Sequence, residues 1–195
     1  MSTWISKAAQ VIVLLGLAAC QTVPGAPGAN LGTASGPVRV LAGDVKVEGP
    51  RGYCADPASL QQRDDSAVLL LGRCSSETAV PPAVLTVAVG RSGSASVFAA
   101  GGGELAGFFK TDTGRATLSR RGAARDVSIV TALMSKGAFL LRIRDRAQGE
   151  YWRAMVPVGG RMISVSAAGP DLPLAEGRRL VEATVTVLRR INSAQ

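Results

Sequence analysis

Eighteen arginines, four lysines and no histidine set the chemistry this chain can attempt. Without an imidazole there is no Ser-His-Asp or Cys-His nucleophile and no histidine-ligated zinc. The most informative spacing is that of Arg142, Arg144 and Arg146. In a strand over residues 138–146 side chains alternate, so the three guanidiniums share one side and Leu141, Ile143 and Asp145 take the other. Three such forks could hold a phosphate or carboxylate bidentately. A solvated sheet face whose arginine stems shield apolar surface gives the same pattern. Arg115, Arg120, Arg121 and Arg125 form a second cluster with the same two readings. Asp64 and Asp65 are adjacent and read as a turn, not as the separated carboxylates of a glycosidase. A carboxylate-dependent hydrolase would need acids brought together from distant positions. There is no Gly-x-Ser-x-Gly, no lysine has a serine three positions before it, and Gly101-Gly102-Gly103 lacks the Lys-Ser/Thr of a phosphate loop. No catalytic residue, cofactor or metal ligand is assigned on these grounds, and the expectation is a protein that binds without catalysing.

The first twenty residues carry a different signal. A short polar stretch with Lys7 precedes an apolar run over residues 8–19, which ends in Leu17-Ala18-Ala19-Cys20. This is the pattern of a secretory leader. At about twelve residues the run is shorter than the roughly twenty a membrane-spanning helix needs. Leu17-Ala18-Ala19-Cys20 resembles the lipobox of bacterial lipoproteins. The resemblance implies that residues 1–19 are a signal peptide removed by cleavage, that Cys20 is acylated, and that its acyl chains, at about 0.8 kcal/mol per buried methylene, anchor the protein to a membrane. Gln21, where an Asp would favour inner-membrane retention, points to the outer membrane, with the domain facing the periplasm. Residues 21–37, with Pro24, Gly25, Pro27, Gly28, Gly32 and Gly36, read as a flexible tether spanning about 20 to 25 Å.

That placement settles how the charge is read. The formal charge of +8 would suggest nucleic acid in a cytosolic protein, but export excludes that partner. The available anions are lipid headgroups, lipopolysaccharide phosphates and acidic envelope polymers, and the expected partners are the membrane, other envelope proteins or those polymers. Arginine in excess also simply keeps a protein soluble.

With Cys20 acylated, Cys54 and Cys74 are the remaining thiols, and an oxidising compartment implies that they pair. Their spacing is not that of a Cys-x-x-Cys redox or metal motif. The string Gly49-Pro50-Arg51-Gly52-Tyr53-Cys54-Ala55-Asp56-Pro57, with Val68-Leu69-Leu70-Leu71-Gly72-Arg73-Cys74 after it, resembles uncharacterised envelope proteins of alphaproteobacteria. That resemblance implies a structural framework and brings no activity.

The elements that must position these residues follow from hydrophobic period. Residues 38–41 and 45–47 alternate as half-buried strands about a turn at Ala42-Gly43-Asp44, and the continuously apolar stretches 67–72 and 83–89 read as central strands. Asp56-Pro57 reads as a helix start, Asp as cap and Pro at the first helical position. Residues 90–103 read as a loop with a short strand at 96–99, and a weak helix is expected at 104–110. Four strands, 127–133, 138–146, 151–158 and 161–167, are separated by Ser135-Lys136-Gly137, Ala147-Gln148-Gly149 and Gly159-Gly160, which predicts a β-meander. Tyr151 and Trp152 point to opposite faces, one expected in the core and one near the surface. Over residues 173–191 the period becomes 3.6, with Leu174, Val181, Val185, Leu188 and Ile191 on one face. The expected domain, residues 38–195, is therefore α+β: a mainly antiparallel sheet with a four-strand C-terminal meander under an amphipathic helix, loosely similar to the PsbP-like fold.

Overall fold

Alternation builds the strands and the change of period builds the last helix, much as their residues dictate. The computed structural model describes residues 36–75 and 79–193. The expected signal peptide, Cys20 and the expected tether as far as residue 35 lie outside the described residues. A hairpin of β1 (Val38–Val40) and β2 (Val45–Val47) stands apart as a two-stranded sheet. It turns through Leu41–Gly43, where Leu41 and Ala42 adopt positive φ of 53° and 56°. The main sheet has seven strands: β3 (Tyr53–Arg63), β4 (Ser66–Arg73), β5 (Val84–Ser92), β6 (Val127–Ser135), β7 (Ala138–Asp145), β8 (Gly149–Val158) and β9 (Arg161–Ala168). Their spatial order is β3-β4-β5-β9-β8-β7-β6, every neighbouring pair antiparallel. Gly137, Gly149, Gly159 and Gly160 take positive φ at the three late turns, where a side chain would be strained.

Helices cover both sides of this sheet. On one side α3 (Leu174–Asn192) buries Leu180, Val181, Val185 and Leu188, and the β1-β2 hairpin buries Val40, Val45 and Val47, against Leu69, Leu71, Leu85, Val87, Leu140 and Val165. On the other side α1 (Gly102–Lys110) and α2 (Asp112–Leu118) bury Leu105, Phe109 and Leu118 against Phe139, Leu141, Ile143, Tyr151 and Met155. Strands β7 and β8 are thus sandwiched, which accounts for their nearly unbroken apolar sequence. Thr111 accepts a hydrogen bond from Gly114 N as N-cap of α2. A Cβ on Gly114 would sit 2.1 Å from the Phe108 carbonyl oxygen, so only glycine lets α2 begin this close to α1.

Three expectations fail. Asp56-Pro57 starts no helix; it lies within β3, at a register shift between Asp56 and Gln61. Pro57 cannot donate to the ladder. The broken pairing is replaced by side chains: Asp56 Oδ1 accepts from Ala58 N at 3.0 Å, and Ser59 Oγ accepts from Leu70 N at 2.9 Å and donates to Asp56 O. Within residues 90–103 the expected strand is a 3₁₀ segment, Ser94–Ala100. Tyr151 and Trp152 do face opposite sides, but both are buried, because each side of β8 carries its own core.

Candidate functional site

The paired arginines are positioned by β7 and met by β8. Register sets Arg144 opposite Glu150 and Arg142 opposite Trp152, all on the α3 side of the sheet. Arg142 donates from Nε at 2.8 Å and Nη2 at 2.5 Å to Glu150 Oε2, and Arg144 makes the equivalent pair to Oε1. Hydrogen bonds from Arg142 and then Arg144 hold the Glu150 carboxyl below its ordinary range. A phosphate or carboxylate reaching these two forks must displace Glu150. Arg146 does not extend the row. β7 ends at Asp145, and Arg146 is exposed in the following turn, its backbone N donating to Asp126 O. Nearby, Arg178 stacks over Trp152 at 5.3 Å.

The second cluster is likewise partly spent inside the domain. Arg115 pairs with Asp112 at 2.5 Å and Arg121 with buried Asp126 at 2.8 Å, at the two ends of α2, whereas Arg120 and Arg125 are exposed. The adjacent acids, Asp64 and Asp65, sit in the β3-β4 turn as expected, Asp64 at φ 48°. Asp65 Oδ1 meets buried Arg161 at 2.6 Å, and Arg161 also reaches Asp44 at 3.2 Å and the carbonyls of Asp65 and Gly90. One guanidinium thereby joins the small hairpin to the large sheet. Among the described residues no group of three or more acidic or cysteine side chains is arranged to hold a metal ion. Cys54 and Cys74 form a disulfide, with Cα atoms 5.0 Å apart, linking edge strand β3 to the end of β4.

Two features were not foreseen. The first is an apolar surface. On the α1-α2 side of β4, β5 and β9, Val68 and Val84 are exposed and Leu70, Thr86, Ala88, Ser164 and Ser166 are half-buried. This open face runs along β9 from Ser164 to Met162, and Met162 lines a groove of about 310 Å³ shared with Val97, Ala100, Leu105, Phe108 and Phe109. Val97 and Phe108 are 40% and 42% exposed there, two large apolar side chains in the lining of the groove. Nothing in a single strand's alternation separates an open apolar face from a covered one.

The second feature is polar. Tyr151 is only 6% exposed, yet neither its hydroxyl nor the buried Nε of Arg153, two residues along the same face of β8, has a hydrogen-bond partner among the described residues. The Arg153 guanidinium carbon lies 5.8 Å from the Tyr151 ring. A buried donor left unpaired costs about 1–3 kcal/mol. Burial pushes the Tyr151 phenol up from its usual value; the charges of Arg153 and Arg120 oppose this and that of Asp145 adds to it. The Tyr151 phenol therefore keeps its proton and stands as a donor at neutral pH, and a guanidinium Nε carries a donor and no acceptor.

No helix among the described residues is long and apolar enough to cross a membrane. Comparison with protein-family models, with curated proteins and with solved structures finds no match.

Proposed function

We propose that this chain is a lipid-anchored protein of the bacterial cell envelope, held at Cys20 and facing the periplasm from the outer membrane, whose domain is a non-catalytic binding or scaffolding module. The observation that carries the module reading is the partly apolar open face on which Val84 and Val68 are exposed, together with the groove lined by Met162, Phe108 and Val97. The acids support it too: Asp44, Asp65, Asp126 and Glu150 are each engaged by an arginine, which takes them away from acid-base work. A disulfide between Cys54 and Cys74 suits an oxidising compartment. Antiparallel pairing of β6 with β7, β7 with β8 and β8 with β9 beneath α3 supports the likeness of the C-terminal half to a PsbP-like meander and helix.

The test has two arms. In cells fed labelled palmitate, the wild type is expected to carry label and fractionate with membranes, and Cys20→Ala to do neither; label retained by Cys20→Ala overturns the anchor. Val84→Asp with Phe108→Asp is expected to leave the melting temperature nearly unchanged and to abolish co-purification of envelope components. Undiminished co-purification overturns the binding surface.

A further inference from the structure

The two arginine forks on β7, Arg142 and Arg144, are answered from within by Glu150, but the opposite face of the sheet holds donors that no described residue answers. Arg153 and Ser166 are opposite one another across β8 and β9, and Ser166 is opposite Thr86 across β9 and β5. Tyr151 occupies the next position on the same face of β8. These groups lie where the helical layer gives way to the open face of β4, β5 and β9. Arg153 has no ion pair among the described residues, its contact being the Tyr151 ring. Among the described residues the carboxylate that acts electrostatically on Tyr151 is Asp145, which accepts through Oδ1 from the amides of Ala147 and Gln148 in the following turn. A second cation, the exposed Arg120 in the turn that follows α2, acts on the same phenol and has no ion pair among the described residues.

The chemistry of this set is one-sided. A guanidinium N–H and a phenol O–H both donate, a fixed positive charge accompanies them, and the register continues the row to the half-buried residues Ser166 and Thr86. What satisfies all of them at once is an acceptor with several oxygens and a negative charge. We propose that Tyr151 and Arg153 form a binding site for an oxyanion, the carboxylate or phosphate group of a small ligand lying on the open sheet face. This gives the binding-module reading a ligand class and rests on that reading. It also moves anion recognition from the α3 side of the sheet to the opposite side.

Tyrosine reports on the site directly. The chain has two tyrosines, and the Tyr53 hydroxyl already donates to Pro81 O at 2.7 Å. It therefore serves as the internal reference. The full-length protein, with its tyrosine ring carbons labelled with ¹³C, is titrated with sodium phosphate, sodium benzoate and sodium chloride at one ionic strength, and Tyr151→Phe assigns the signals. A saturable shift of the Tyr151 signal is expected with phosphate or benzoate, with Tyr53 unmoved and chloride without effect. Arg153→Gln is expected to weaken the response about tenfold or more, and Arg153→Lys, which keeps the charge and loses the fork, to fall between. Saturation by phosphate alone assigns a phosphate ligand, and by benzoate alone a carboxylate. No saturable shift with either anion, or the same affinity in Arg153→Gln, overturns the site. Since palmitate labelling at Cys20 and co-purification through Val84 and Phe108 do not depend on Tyr151, loss of this site and loss of the module reading are told apart.

Discussion

Asn192, at the last turn of α3, closes both hydrogen bonds of the Lys46 peptide: its Nδ2 donates to Lys46 O and its Oδ1 accepts from Lys46 N, each at 2.9 Å. The side-chain amide behaves as one residue of a strand added to β2. It ties the small hairpin to a helix far away in sequence, while Arg161 ties it to the sheet. Asn192→Leu leaves the Lys46 N–H and C=O unpaired in a partly buried place and is expected to cost about 2–3 kcal/mol in urea unfolding. Amide exchange at Lys46 should accelerate with it. An unchanged unfolding midpoint would show that the hairpin is held by Val40, Val45 and Val47 alone.

Glu150 acts as an internal substitute for an external anion. Neutralising it in Glu150→Gln removes the charge that engages Arg142 and Arg144, so retention on a heparin column at low salt is expected to rise. Arg142→Gln with Arg144→Gln in the otherwise unaltered chain should change retention little. Strong loss in the double variant would mean that these arginines meet anions despite Glu150.

Acid should weaken the fold through two carboxylates. Glu150 is held low by Arg142 and Arg144, and Asp65 is held low first by the Ser92 backbone N–H and then by Arg161. A folded-state value below the unfolded one means that the unfolded chain takes up protons first as the pH falls. The stabilisation is complete above the unfolded values, near 4, and is lost as pH drops through the folded ones. The melting temperature is expected to be flat from pH 7 to about 5 and to fall below about 4. Glu150→Gln with Asp65→Asn should flatten that limb.

The disulfide joins cysteines 20 residues apart, and closing a loop of that size restricts the unfolded chain by about 3 kcal/mol. Cys54→Ala with Cys74→Ala is expected to lower the unfolding free energy by roughly that amount. Reduction of the wild type should move the urea midpoint in the same direction. A midpoint insensitive to reductant would show that the bridge is dispensable to the edge strand.

Where local chemistry decided, the sequence was legible. Ser135-Lys136-Gly137, Ala147-Gln148-Gly149 and Gly159-Gly160 marked turns that only hairpins need, and the 3.6 period of Val181, Val185 and Leu188 marked α3. Asp56-Pro57 misled because Asp before Pro suits a helix start and a bulged edge strand equally well, and the partner strand decided between them. The arginine row was read correctly as to face for Arg142 and Arg144 and wrongly for Arg146, because β7 ends at Asp145; Glu150 becomes the partner of the first two only once the β7-β8 register is fixed. Tyr151 and Arg153 gave no signal at all, since what distinguishes them is the hydrogen bonds they lack.

The sheet order carries one more consequence, for the time at which the protein becomes itself. β3, β4 and β5 can pair as soon as they emerge during synthesis, but the central partner of β5 is β9, the last strand of the chain. Until β9 arrives, the apolar run of β5 presents an unpaired edge, and α3, which must follow β9, is not there to roof the first core. The N-terminal half therefore waits, sticky and half-built, for the C-terminal half to close over it. A chain truncated before Arg161 should not yield a smaller stable domain but one that aggregates.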